Sequence, residues 1–200
     1  MGNRVITIGR EYGSKGRMIA KALSEKLGIH YYHKELIQMV SEQSDIPYEM
    51  LKAADEKKQD SWRIPVADDI QLERRLRYEP MDDLLFERQS QIIRELADRE
   101  DCIILGRCAN YILRDRENCK SVFIHAPLEK KIENVMEVMG MERKNAQTLI
   151  KKMDKQRRCY YNYYTDQPWA DMSQYAMCLD SSQYTMDQIL QVLTGLYESI

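Results

Sequence analysis

Five short apolar runs, each set apart from the next by a stretch of helical periodicity, limit what this chain can fold into. Val5 to Ile8, Ile29 to Tyr32, Cys102 to Leu105, Ser121 to His125 and Met177 to Leu179 have the length and the β-branched or apolar character of strands. Cys102 to Leu105 is continuously apolar, as expected for a strand buried on both faces of a parallel sheet. Between the runs, Ile19, Leu23 and Leu27 repeat at helical spacing before Gly28, which suits a helix C-terminal glycine. Leu128, Ile132, Val135, Met136 and Met139 do the same between Pro127 and Gly140. Thr185 and Gln188 form a capping box ahead of Ile189, Val192, Leu193 and Leu196. Residues 34 to about 99 read as helical with a polar break at 60–69, Asp45 capping a helix with Pro47 in its first turn; Leu85, Ile92, Ile93 and Leu96 mark one face. Parallel neighbours need crossover connections, so the pattern predicts an open, mostly parallel sheet with helices on both faces. Ligands of such sheets bind outside the carboxyl ends of the strands, here the turns after Ile8, Leu105 and His125.

A chain of 200 residues with 44% apolar composition supports one sizeable core and a single domain, 1–200, carrying insertions. Its net charge of −2 argues against a surface built for nucleic acid, so any phosphate binding must be local. No window reaches the length of a membrane helix, and Met1 to Val5 lacks a signal-peptide run, so the expected setting is the cytoplasm. Cys102, Cys108, Cys119, Cys159 and Cys178 are odd in number and lack CxxC spacing, which suits thiols in a reducing compartment.

The first strand-to-helix junction is where the sequence offers an anion a seat. Gly9-Arg10-Glu11-Tyr12-Gly13-Ser14-Lys15-Gly16-Arg17 lies there. Unpaired N–H groups of a first helical turn, the helix dipole and glycines that let the backbone curl can together hold a polyphosphate. The usual phosphate-loop spacing is Gly, four residues, Gly-Lys, then Ser or Thr, and this stretch departs from it. Counted from Gly9, Lys15 takes the lysine position, Ser14 replaces the second glycine and Gly16 replaces the metal-binding hydroxyl. Counted so that Gly13-Ser14 matches the Gly-Ser of nucleotide kinases, Gly16 takes the lysine position and Arg17 the hydroxyl position. Both registers lose the hydroxyl that would hold magnesium. The second keeps Ile19 to Leu23 in step with those kinases and is preferred, with Lys15 or Arg17 supplying the missing cation. On spacing alone, a tight connection that binds nothing stays open as the alternative.

The string Ile6 to Arg17, continued by Leu27-Gly28-Ile29-His30-Tyr31-Tyr32, resembles the cytidylate kinase-like family of the P-loop nucleoside monophosphate kinase group. Further matches are Ile103 to Ala109, Asp154-Lys155-Gln156-Arg157, Tyr160 to Thr165, Trp169 and Leu179-Asp180-Ser181-Ser182, so the resemblance spans residues 4 to about 183. Lys15 stands where that family usually has glycine. The resemblance implies that Gly13, Ser14, Lys15, Gly16 and Arg17 surround donor phosphates, that Arg107 binds the acceptor phosphate with Arg158 as a further contact, and that Arg157 is a lid arginine approaching the transferring phosphoryl group. Asp154, three residues earlier, is placed to orient Arg157. The catalytic set is thus Arg17, Asp154 and Arg157.

Charge independently supports a lid: residues 142 to 158 carry Arg143, Lys144, Lys151, Lys152, Lys155, Arg157 and Arg158 against Glu142 and Asp154. Such a run is usually a solvated helix face, but in a kinase a cationic lid excludes water and neutralises developing charge. The tyrosines at 160–164 read as packing. Phosphoryl transfer asks for positioning and charge neutralisation more than for a general base, so His33 and His125 are not assigned catalytic roles.

The combined expectation is a three-layer α/β P-loop fold with a parallel sheet, a helical acceptor-binding insertion at about 34–100 and a lid at about 141–170. The reaction expected is ATP- and Mg2+-dependent transfer to a nucleoside monophosphate, CMP or dCMP first, with small nucleotides as partners and neither nucleic acid nor membrane. The metal ligands are not identified, and water completes the magnesium shell in this reading. The alternatives are a kinase of another small metabolite and a nucleotide-binding regulator that lost turnover. The polar segment 34–100 also suits a homodimer surface.

Overall fold

The computed structural model describes residues 2–44, 46–51 and 81–200. All five expected strands are present: β1 (Val5–Arg10), β2 (His30–Tyr32), β3 (Cys102–Leu105), β4 (Cys119–His125) and β5 (Met177–Asp180). They form one sheet in the order β2-β3-β1-β4-β5 with every neighbouring pair parallel. All five carboxyl ends therefore lie along one edge, and β1, bearing the glycine loop, is the central strand.

Seven helices are described: α1 (Gly16–Leu27), α2 (Glu35–Gln43), α3 (Met81–Arg99), α4 (Ala109–Ile112), α5 (Leu128–Met139), α6 (Arg143–Thr165) and α7 (Met186–Glu198). Their ends follow the sequence signals. Gly28 and Gly140 take left-handed conformations at the C-termini of α1 and α5, and Thr185 and Gln188 make the reciprocal capping box of α7. Period-2 residues of the central strands, Ile6, Ile8, Ile103, Leu105, Val122 and Ile124, meet Ile19, Ala20 and Leu23 of α1 and Ile189 and Leu193 of α7 in one apolar cluster. Leu23 is fully buried there, so Leu23→Ala should cost about 2 to 5 kcal/mol. On other strand positions, Phe123 meets Trp169 edge-on at 5.4 Å and Tyr175 at 4.9 Å, so the segment after α6 packs on β4.

The chain divides into two compact units, residues 1–33 with 94–200, and residues 34–93. The first holds the sheet and the glycine loop. In the second, α2 buries Leu36, Ile37 and Val40. The expected helical face of Leu85, Ile92, Ile93 and Leu96 is buried. The expected cap Asp45 and the polar break at 60–69 lie outside the described residues. No helix among the described residues is long and apolar enough to cross a membrane.

Strand β1 runs two residues further than its apolar character suggests. Arg10 still pairs with Ile124, and the Glu11 N–H donates to the Ile124 carbonyl at 3.0 Å. Gly9 is therefore a strand residue. A Cβ on it would lie 2.9 Å from the Phe123 ring and 3.1 Å from the Tyr175 ring, so packing against aromatics explains that glycine.

Candidate functional site

With Gly9 inside the strand, the loop itself is Glu11 to Lys15. Gly13 has φ 82°, and a Cβ there would fall 2.8 Å from the Lys131 carbonyl oxygen. The turn is closed by Ser14, whose buried hydroxyl donates to the Glu11 carbonyl at 2.8 Å. Two outside side chains hold it. Asn134 of α5 donates its amide to the Gly13 carbonyl at 2.8 Å, and the Ser181 hydroxyl, just after β5, donates to the Ser14 carbonyl at 2.8 Å. Lys15 precedes α1 in the left-handed region at φ 60°, a conformation that costs a residue with a Cβ roughly 1 to 2 kcal/mol. Lys15 and Arg17 are both exposed. The first amides of α1 are left facing the edge where ligands of such sheets bind.

Behind the loop lies a charged network. Lys131 is buried, yet its ammonium sits 2.9 Å from Glu11 Oε2 and 3.4 Å from Asp154 Oδ2. Glu11 Oε2 also accepts from the Ala126 N–H at 3.3 Å. Asp154 Oδ1 accepts from the Tyr12 N–H at 2.6 Å and lies 3.8 Å from Arg157 Nη1. Burial pushes the Asp154 carboxyl upward, opposed by the Tyr12 amide and by the charges of Lys131 and Arg157. Arg157 is pulled down by burial and up by Asp154. Its Nη1 donates to the Arg10 carbonyl at 2.9 Å, and its guanidinium carbon stands 5.5 Å from the centre of the Tyr12 ring. Asp154 and Arg157 of α6 are thus brought together against the loop.

Arg107 follows β3 within an unusual turn. Gly106, Arg107 and Cys108 have φ of 77°, 57° and 55°, three left-handed residues in succession, closed by the Ala109 N–H donating to the Gly106 carbonyl at 3.0 Å. Two non-glycine residues held this way at a strand end concentrate strain at the ligand edge. Beside them is Arg10. Burial, and after it the charge of Arg157, hold the Arg10 guanidinium well below its usual range; Tyr31 acts the other way, and Arg107 and Arg17 add to the depression. Arg10 thus lies within electrostatic reach of Arg157, Arg107 and Arg17. Such a grouping is costly unless an anion occupies it.

Arg158 is exposed on α6, next to Arg157. Tyr161 is buried with its hydroxyl accepting from Asn110 at 2.8 Å, whereas Tyr163 is 65% exposed, so only part of the tyrosine cluster packs. Burial pushes the Cys102 thiol up to about 12 and Cys119 to about 11, which makes both poor nucleophiles at neutral pH. Sequence reasoning missed Arg10 and Lys131. Lys131 lies three residues after Leu128 and four before Val135, a charge on an apolar face, and that was its signal. Among the described residues, no three His, Cys, Asp or Glu side chains gather as a metal site.

Comparison with known proteins identifies the fold and the family. A cytidylate kinase from Methanopyrus kandleri (strain AV19) is 25% identical over 206 residues, covering 98% of this chain and 94% of that protein. The crystal structure of an uncharacterized protein from Eubacterium ventriosum ATCC 27560 superposes with a TM-score of 0.73 at 30% identity, covering 99% of this chain and all of that one. A shikimate kinase from Bacteroides thetaiotaomicron shares the fold, with a TM-score of 0.54 at 14% identity over 98% of both chains. The model of the cytidylate kinase-like family matches residues 5–183. That match runs from the first strand past the fifth and takes in the loop, the Gly106-Arg107 turn and the basic helix, and the chain belongs to the cytidylate kinase-like family.

Proposed function

We propose that this chain is an ATP-dependent phosphotransferase acting on a nucleoside monophosphate, with CMP or dCMP as the first acceptor to test. The observation that carries the reading is the gathering of Arg10, Arg17, Arg107 and Arg157 beside a glycine loop at the carboxyl edge of a parallel sheet. When bound, ATP with Mg2+ would supply the phosphoryl group and part of the charge neutralisation. The amides around Gly13 to Arg17 hold the donor phosphates, Arg107 and Arg158 take the acceptor phosphate, and Arg157 meets the group in transfer. Asp154 fixes Arg157 and the loop together, so that the arginine arrives without reorganisation. Glu11 and Asp154 are engaged by Lys131, so Mg2+ rests on phosphate oxygens and water in this reading. The segment 34–100 supplies the acceptor side and residues 141–170 the lid.

Nucleotide titration followed by thermal melting tests the binding half of this reading. At about 100 times the dissociation constant, linkage requires about 2.7 kcal/mol of stabilisation. An unchanged melting temperature with both ATP and ADP would overturn it.

A regulator without turnover is the second reading. One observation favours it: Arg17 stands at the hydroxyl position, and the carboxylates closest to the loop are already neutralised.

A further inference from the structure

Position 16 aligns with the phosphate-loop lysine in the preferred register, and packing gives a reason for a glycine there. A Cβ on Gly16 would fall 2.6 Å from Cβ and 3.1 Å from Cγ of Arg10. Real Cβ atoms do not approach so closely, and the Arg10 atoms in the way belong to the base of its side chain, which cannot swing aside. A side chain leaving position 16 and the side chain of Arg10 therefore compete for one space.

From there Arg10 runs towards the ends of β3 and β2. Its Nη1 lies against Gly106, and its Nη2 is 3.2 Å from His33 Nε2. The glycine at position 16 thus leaves the path open for one arginine, while Gly106 answers to its own left-handed φ of 77°. Arginines placed for stability normally face a carboxylate. The adjacent acid, Glu11, is turned instead to Lys131 and the Ala126 amide, and among the described residues the charges of Arg157, Arg107 and Arg17 depress Arg10 while Tyr31 acts the other way.

We propose that Arg10 is the phosphate-binding cation of this site, standing in for the loop lysine, and that Gly16 is glycine to make room for it. This rests on the nucleotide reading above and deepens it. A planar guanidinium at this place offers two parallel donors to the terminal phosphates of the donor, where a lysine offers a point charge. The Arg10 carbonyl is held by Arg157 at 2.9 Å, so the strand residue that carries the cation is itself fixed by the basic helix.

The test uses the full chain with ADP and, separately, pyrophosphate, which carries the charge without the base. Arg10→Met should weaken binding of both probes by about 10- to 150-fold, the loss of a charged hydrogen bond. Melting temperature without ligand should be unchanged or higher, because like-charge repulsion is relieved. Arg10→Lys should retain part of the affinity. The swap Arg10→Gly with Gly16→Lys should bind pyrophosphate at least about tenfold better than Arg10→Gly alone, since the lysine then has the vacated space. Parent-like affinity of Arg10→Met for both probes would overturn the assignment while leaving the nucleotide reading intact. A parent that binds pyrophosphate and no nucleotide, with loss on Arg10→Met, would uphold the cation and overturn the nucleotide reading. A parent that binds neither overturns both.

Discussion

Asp154, in the middle of the basic helix α6, accepts a 2.6 Å hydrogen bond from the backbone N–H of Tyr12 in the glycine loop. The residues are 142 apart in sequence, and the bond joins the element expected to act as a lid to the element expected to hold phosphate. The same carboxylate sits 3.4 Å from Lys131 and 3.8 Å from Arg157. One side chain thus touches both the loop backbone and the arginine.

Replacing Asp154 separates shape from charge. Asp154→Asn can keep the oxygen that accepts from Tyr12 but loses the attraction to Lys131 and Arg157. Asp154→Ala loses both and leaves a buried amide without its acceptor, at a cost of about 1 to 3 kcal/mol. Denaturant unfolding should show the Ala variant less stable than both the parent and the Asn variant, and kcat should fall already in the Asn variant because Arg157 loses its anchor. Equal stability of all three would mean the network is not holding the loop.

Arg107 and Arg157 should divide their labour. Arg107, in the strained turn after β3, is expected to contact the acceptor in ground and transition states alike, so Arg107→Ala should chiefly raise the acceptor KM. Arg157→Ala should lower kcat with little change in either KM. Because Arg157 also donates to the Arg10 carbonyl, that variant should lose about 0.5 to 1.5 kcal/mol of stability as well. Steady-state kinetics with the acceptor varied checks both, and an Arg107→Ala enzyme with parent acceptor KM would remove Arg107 from the acceptor site.

Lys15 and Arg17 differ in what they cost the fold. Lys15 holds φ 60°, so Lys15→Gly relieves roughly 1 to 2 kcal/mol of left-handed strain and returns roughly 0.5 to 1 in chain entropy. A small net gain in denaturant stability is expected. Arg17, in the first turn of α1, should matter more for ligand: Arg17→Ala should weaken ADP binding more than Lys15→Ala. The reverse order would return the cation role to Lys15.

Much of this architecture was legible because local signals and global packing agree. Five apolar runs gave five strands, and Gly28, Gly140 and the Thr185–Gln188 pair marked helix ends. Arg10 stayed hidden because its importance lies in the space it denies to position 16, which no spacing reveals. Lys131 stayed hidden because its partners, Glu11 and Asp154, are 120 and 23 residues away. The boundary of β1 was misjudged because Gly9 resembles a loop glycine, while Phe123 and Tyr175 are what require it.

Glu100 provides a pH signature of the sheet's β2 edge. The Tyr32 hydroxyl donates to its Oε1 at 2.6 Å and Arg99 Nη2 at 2.8 Å, and together they hold its carboxyl below the ordinary range. A depressed carboxylate contributes stability above its unfolded value of about 4.3, and that contribution is lost as pH falls through the lower folded value. The pair is partly solvated, so the effect should stay under about 1 kcal/mol. Glu100→Gln should flatten the parent's loss of stability in that acidic window. Parallel curves for the two proteins would show that the Tyr32 bond carries no net stability.

Phosphoryl transfer is read from ADP release from ATP with Mg2+ by the purified parent chain, with and without each nucleoside monophosphate and a panel of small metabolites. ADP formation should depend on the acceptor, with CMP or dCMP among the active ones, and should fall about 10³-fold or more in Arg157→Ala. ATP binding with no acceptor-dependent ADP from any nucleoside monophosphate or metabolite would contradict it and leave a nucleotide-binding regulator in its place.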